Sequence, residues 1–261
     1  LAGLAAALLL RGVPYMQVPT SLLAQIDSSI GGKTAVDMPR GKNLVGRFYQ
    51  PIAVVADIAT LETLPDRQMR SGYAEGVKHA VIKDRKFFKW LQENGADVIA
   101  ADPESAGKFV EWNCRIKKEA VQADENDLNN TRALLNFGHT FGHALEAACG
   151  FDASLLHGEA VSIGTVLAMT LSCRMGLCPE EDLEEVRKHL EISGLPVSIS
   201  AIDPPLTANA DALIEKMFSD KKTLSGRINF ILARGIGDAF ATPDVDGGLL
   251  KQVIQDSMDG H

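Results

Sequence analysis

Three of the six histidines fall in one short window, as His139, His143 and His157. The segment Leu135-Asn-Phe-Gly-His-Thr-Phe-Gly-His-Ala-Leu-Glu146 sets His139 and His143 four residues apart, so on a helix their rings share a face. His157 follows in Leu155-Leu-His-Gly-Glu159. Neutral imidazole ligates zinc and similar divalent ions, and a carboxylate often completes a catalytic set that keeps one position open. Glu75, in Ser71-Gly-Tyr-Ala-Glu-Gly-Val-Lys78, is a candidate for that carboxylate, but spacing does not select it from 34 acidic residues. A histidine pair at this spacing is equally an ordinary helix surface. Gly138, Gly142 and Gly158 weigh against that reading. A glycine within a helix costs about 1 kcal/mol relative to alanine, so its presence beside each histidine suggests close approach of another group.

A second polar stretch runs through Asp27-Ser-Ser-Ile-Gly-Gly-Lys-Thr34 and Gly41-Lys-Asn43. It lacks the glycine spacing of a Walker A loop. Gly31-Gly32 can still turn backbone N–H groups toward a ligand, and Lys33 and Lys42 can supply charge for an anion. A surface turn with two solvated lysines fits the same text. Arg132 and Asn136 stand four apart, one turn before His139, and either extend the histidine face into a polar pocket or belong to plain helix surface. Asp220-Lys221-Lys222 is a weaker signal, because a lysine pair before a turn is usually solvated.

Positioning these groups requires two kinds of text. Residues 1–66 read as α/β: an Ala/Leu helix at the start, then strand candidates at Tyr15-Met-Gln-Val18 and Ala53-Val-Val-Ala-Asp57. Residues 67–261 read as mainly helical, with segments 67–98, 104–123, 139–149, 158–176 and 180–193 carrying apolar residues near a 3.6 period. Asp102-Pro-Glu-Ser105 and Cys178-Pro-Glu-Glu181 are helix starts. Residues 224–242 return to strand-like text. Apolar residues make up 46% and charged residues 23%, a globular balance, and the net charge of −8 without a basic run argues against nucleic acid. The apolar stretch 161–177 holds Ser162, Thr165, Thr170, Ser172 and Arg174 and reads as a buried helix rather than a membrane span. Four cysteines without CxxC spacing read as reduced thiols in a cytoplasmic protein. The chain opens inside an apolar run without an initiator Met, so part of a domain is expected upstream.

Taken together, these strings resemble the 3-dehydroquinate synthase family of the sugar phosphate cyclase superfamily. The likeness runs in order through Arg11-Gly-Val13, residues 19–34, Gly41-Lys-Asn-Leu-Val-Gly46, Tyr49-Gln-Pro51, Leu61-Glu-Thr-Leu-Pro65, residues 72–78, residues 132–143, Leu156-His-Gly-Glu-Ala-Val161 and Asp220-Lys-Lys222. The resemblance implies a Rossmann-like α/β domain, partial here as residues 1–66, followed by a mainly helical metal- and substrate-binding domain, 67–261. It implies that Glu75, His139 and His157 ligate a divalent metal, zinc or sometimes cobalt. Lys33, Asn43, Lys78, Lys117, Arg132, Asn136, His143 and a lysine of Lys221-Lys222 would line the substrate pocket. Arg11 would reach the substrate phosphate, often across a homodimer interface. Thr20, Ser21, Asp27, Lys42 and the stretch Thr60, Leu61, Glu62, Thr63 would border NAD. Asp127 is the nearest acid to the family's usual glutamate ahead of Arg132. The family's glycine-rich nucleotide stretch would lie upstream of Leu1.

The implied reaction is part of the shikimate pathway and starts from 3-deoxy-D-arabino-heptulosonate 7-phosphate. A secondary alcohol is oxidised at NAD, phosphate leaves by elimination, the ketone is reduced again, and ring opening with aldol closure gives 3-dehydroquinate. His143, one helical turn from a ligand, would act as acid/base rather than as a fourth ligand. The rival readings are a cyclase making an aminocyclitol precursor, a metal-dependent polyol dehydrogenase, and a copy that only binds partners.

Overall fold

The computed structural model describes residues 1–38, 41–125, 131–220 and 228–260; the side chains of Asp37, Gly41, Lys42, Asn43, Thr131, Ser219 and Asp220 lie outside the description. The α/β part opens with α1 (Ala2–Leu8) and the short strand β1 (Met16–Gln17). A five-residue π-helix, Ala24–Ser28, leads into a hairpin of β2 (Lys33–Met38) and β3 (Gly41–Phe48). Strand β4 (Ala53–Val54) then pairs parallel with β1, Met16 against Ala53. A 3-10 helix, Ile58–Thr63, closes this part, its start capped by the Asp57 carboxylate accepting from Ala59 N at 3.0 Å.

The fold class matches the sequence reading, with local corrections. The hairpin begins within the polar stretch between Asp27 and Asn43, because Gly31 and Gly32 take positive φ (105° and 66°) and turn the chain into β2, and β3 carries it on to Phe48. The segment 67–98 is two helices, α2 (Asp66–Lys83) and α3 (Arg85–Ile99). Asp84 breaks them with φ −151° and caps α3, accepting from Lys86 N and Phe87 N. The helix start at Asp102 is as read: its carboxylate accepts from Ser105 N at 2.9 Å, and Pro103 opens α4 (Pro103–Ala123).

Next come α5 (His139–Ala148), α6 (His157–Arg174) and α7 (Glu180–Ile192). The sequence reading did not register α8 (Ala210–Asp220) or α9 (Gly247–Asp259). Between them β5 (Phe230–Ala233) and β6 (Ala239–Thr242) form an antiparallel hairpin in the strand-like text. Arg132 and Asn136 do not share a helix with His139. They lie in a 3-10 turn, Thr131–Asn136, and Gly138 at φ 75° breaks the chain before α5 begins.

Helices α2 and α6 form the middle of the core. Residues 71–82 of α2 are all buried, and so is nearly all of α6. Burial on every side places both helices inside the packed domain, and on α2 it takes in the polar side chains of Ser71, Glu75, Lys78 and His79. Among the described residues, no helix is long and apolar enough to cross a membrane. The expectation drawn from the glycines holds. A Cβ on Gly158 would stand 1.9 Å from the Ser71 carbonyl oxygen, and one on Gly138, at φ 75°, would stand 2.8 Å from Thr165 N. At these two points backbone rests on backbone.

Gly158→Ala should therefore destabilise the fold by about 1–3 kcal/mol, since the obstruction cannot rotate away. Gly107→Ala, where an added Cβ meets nothing within 4 Å in α4, should be neutral or stabilising by up to about 1 kcal/mol. Urea midpoints of the two variants test the contrast; equal midpoints would refute it.

Candidate active site

The site is assembled from three helix segments. Glu75 sits in the middle of α2, and His139 and His157 are the first residues of α5 and α6. Glu75 is fully buried. Its Oε1 lies 3.2 Å from His157 Nε2 and 3.5 Å from His139 Nε2. The opposite ring nitrogens are engaged behind: His139 Nδ1 faces the Phe137 carbonyl at 3.1 Å, and His157 Nδ1 faces Glu146 Oε1 at 3.3 Å. These partners assign the proton to Nδ1 of His139, leaving both Nε2 atoms aimed at the Glu75 carboxylate. The three ligand atoms lie within 4.8 Å of one another. This donor set of two imidazoles and one carboxylate fits a divalent cation with open positions. His143 is outside the triad, its ring 5.2 Å from that of His139.

A second cluster continues inward. Lys78, also buried, forms an ion pair with Glu75. Lys117, on α4, donates to both the backbone carbonyl and the carboxylate of Asp27. His79 lies behind them, its Nδ1 2.9 Å from Asn113 Oδ1 and its Nε2 3.8 Å from Asp27. Burial alone would raise the pKa of the Glu75 carboxyl, but Lys78, His139 and His157 hold it well below the usual range. Burial likewise opposes ionisation of Asp27, and Lys117 overrides it and brings the pKa to about 2. Burial and then Lys78 push His79 down to about 4. His157 goes the other way: burial disfavours its charge, but the hydrogen bonds to Glu146 and Glu75 lift it to about 10.

Of the other residues named from sequence, Arg132 is buried with Nη1 3.4 Å from the Gly31 carbonyl. A Cβ on Gly31 would lie 2.4 Å from Arg132 Nη2, which explains that glycine. Lys33 opens β2 and is exposed, as are Asn136 and Arg11, the latter at the end of the turn after α1. Buried Gln25 links Pro19, just ahead of Thr20 and Ser21, to the start of the 3-10 helix bearing Thr60, Leu61, Glu62 and Thr63: its Nε2 lies within hydrogen-bond distance of Pro19 O, Asp57 O and Thr60 Oγ1. Asp127, Lys221 and Lys222 lie outside the described residues, as do the side chains of Lys42 and Asn43.

Sequence reasoning missed Glu146, His79 and Asn113. A signal existed for two of them: Glu146 stands one further turn along the histidine helix, and His79 stands one turn beyond Glu75. Asn113 gave none.

Fold and site together place the chain among the sugar phosphate cyclases. The solved 2-epi-5-epi-valiolone synthase of Streptomyces hygroscopicus subsp. jinggangensis 5008, with NAD+ and Zn2+ bound, matches with a TM-score of 0.89 at 31% identity, covering 100% of this chain and 70% of that one. A 2-deoxy-scyllo-inosose synthase complexed with carbaglucose-6-phosphate, NAD+ and Co2+ matches with a TM-score of 0.85 at 30% identity, covering 98% and 70%. Within that class the chain belongs to the 3-dehydroquinate synthase family: residues 1–71 match the model of its N-terminal part and residues 72–223 that of its C-terminal part. The 3-dehydroquinate synthase of Paracoccus denitrificans is 50% identical over 257 residues, 98% of this chain and 69% of that protein.

The depressed His79 and Asp27 values define an acid response of the metal-free protein. The unfolded chain binds a proton at His79 from about pH 6.5 downward, whereas the folded protein waits until about 4. The His79 contribution is therefore fully present above 6.5 and is lost as the pH drops through that window, with His139 and His189 acting in the same direction. Asp27 adds a second loss between 3.8 and about 2. Replacing His79 by Gln should flatten the upper segment by on the order of 2–3 kcal/mol. Urea midpoints from pH 7 to 4, taken with chelator present, provide the check; an unchanged slope would refute the assignment.

Proposed function

We propose that this chain acts as a 3-dehydroquinate synthase, converting 3-deoxy-D-arabino-heptulosonate 7-phosphate to 3-dehydroquinate and phosphate. In this reading residues 1–66 contribute the nucleotide side of the site and residues 67–261 the metal and substrate side. The observation that carries it is the convergence of His139 Nε2 and His157 Nε2 on the buried Glu75 carboxylate. Zinc or cobalt held there supplies Lewis acidity toward vicinal hydroxyls, and NAD supplies a reversible hydride acceptor.

The chain's own residues then orient the substrate and handle its charge and protons. Arg132 is buried, and its Nε has no hydrogen-bond partner among the described residues, which suits an anionic group of the substrate. Lys78 and Lys117 hold fixed ammonium groups beside Glu75 and Asp27, presenting positive charge in a region shielded from water. His143, one turn along α5 from a ligand and only partly buried, moves protons at the substrate. Thr20, Ser21 and residues 60–63 border the dinucleotide, with Gln25 linking Pro19 to Thr60. Arg11 reaches the phosphate of a partner's substrate in a homodimer.

Supplying the heptulosonate phosphate with NAD and divalent metal should release phosphate without accumulating NADH. Accumulating NADH would indicate a polyol dehydrogenase, and phosphate release from sedoheptulose 7-phosphate alone would indicate an aminocyclitol-type cyclase. Glu75→Gln should lose bound metal in elemental analysis. His143→Ala should keep metal and lose turnover by about 10²–10⁴-fold; equal metal loss in His143→Ala and His139→Ala would refute the separate roles.

A further inference from the structure

Arg67 lies two turns before Glu75 on α2 and touches none of the three candidate ligands. Residues 67, 71 and 75 are spaced four apart and so form one stripe along the helix. Against this stripe lies the first turn of α6, in reverse order. Arg67 faces Glu159, Ser71 faces Gly158, and Glu75 faces His157. Arg67 Nε donates to Glu159 Oε1 at 2.6 Å and Nη2 to Oε2 at 2.7 Å, a two-point fork. Ser71 Oγ accepts from Gly158 N at 3.0 Å. His157 Nε2 stands 3.2 Å from Glu75 Oε1.

The guanidinium also holds the approach to α6. Its Nη1 donates to Ala153 O and its Nη2 to Ser154 O, both at 2.9 Å. Glu159 Oε2 in turn accepts from Leu156 N at 2.8 Å, capping the helix that His157 begins. One side chain of α2 thus fixes both the loop that enters α6 and the carboxylate that closes its first turn. We infer that Arg67 is a positioning residue for the metal site, setting how far His157 reaches toward Glu75 through Glu159 and the 153–154 carbonyls. The inference rests on the reading of Glu75, His139 and His157 as ligands. Half of the Arg67 side chain is exposed, and an exposed ion pair by itself contributes little. The planar fork and the two carbonyl acceptors separate this arrangement from such a pair, because lysine cannot reproduce them.

The test is zinc affinity, measured on the purified protein by competition with a chromophoric chelator, together with the thermal midpoint of the metal-free form. Arg67→Ala and Arg67→Lys should both raise the zinc Kd by about 10–100-fold, the range typical of losing outer support for a ligand. Trp112→Phe, which removes a hydrogen bond to Asp84 away from the site, should lower the midpoint without moving the Kd. A Kd within about twofold of the parent in both Arg67 variants would overturn the proposal. So would a Kd that rises as much in Trp112→Phe. If Arg67→Ala does not fold, Arg67→Lys decides on the same threshold. Zinc loss in Glu75→Gln with zinc retained in the Arg67 variants would overturn this inference alone; zinc retained in Glu75→Gln would overturn the ligand reading beneath it.

Discussion

The structure depends on keeping one carboxylate ionised where water does not reach. Glu75 is fully buried in the middle of α2, and an isolated carboxylate there would take up a proton rather than stay charged. Lys78, one turn along the same helix, and the imidazoles of His139 and His157 from two other helices supply the compensation. Those two rings are brought to Glu75 because each begins a helix. A helix start can place one side chain deep against a neighbour while the preceding loop adjusts. The requirement for a charged buried acid thus sets where α5 and α6 must begin.

The same logic extends inward. Lys117 and Asp27 form a second compensated pair, and Asp27 comes from the π-helix that leads toward the Gly31-Gly32 turn. That turn receives Arg132 from the other side of the molecule. Lys117 of α4 and Arg132 of the 3-10 turn ahead of α5 therefore meet a carboxylate and backbone contributed by the α/β part, while Lys78 pairs with Glu75 within α2. These cations are shielded and held by short contacts, so their charge is little screened by solvent. On the reading proposed above, an acidic protein thereby offers buried cations to a phosphorylated, carboxylated sugar.

How much of this could be read from sequence depended on the distance between partners. The His139–His143 spacing and the neighbouring glycines were legible because they are local, and Gly158 and Gly138 reported close packing against Ser71 and Thr165 correctly. Glu75 was not selectable by spacing, since its partners stand 64 and 82 residues away. The relation of Arg132 and Asn136 to His139 was misread as one helical face, because a positive-φ glycine breaks the chain between them. The β2–β3 hairpin was hidden by the same Gly and Pro punctuation that suggested a loop. Arg67 and Glu159, 92 residues apart, left no local trace at all.

His157 stands between two acids, Glu75 and Glu146, which together lift its pKa to about 10. A ring that coordinates through Nε2 must give up the proton at that atom. On the proposed ligand reading, loading the site near neutrality is an exchange: one divalent ion enters and one proton leaves to bulk water. The proton serves as a placeholder of the right sign, keeping the Glu75–His157 contact attractive before any metal arrives. On that reading the two cations compete for a single position, and occupancy at a given free metal concentration rises with pH.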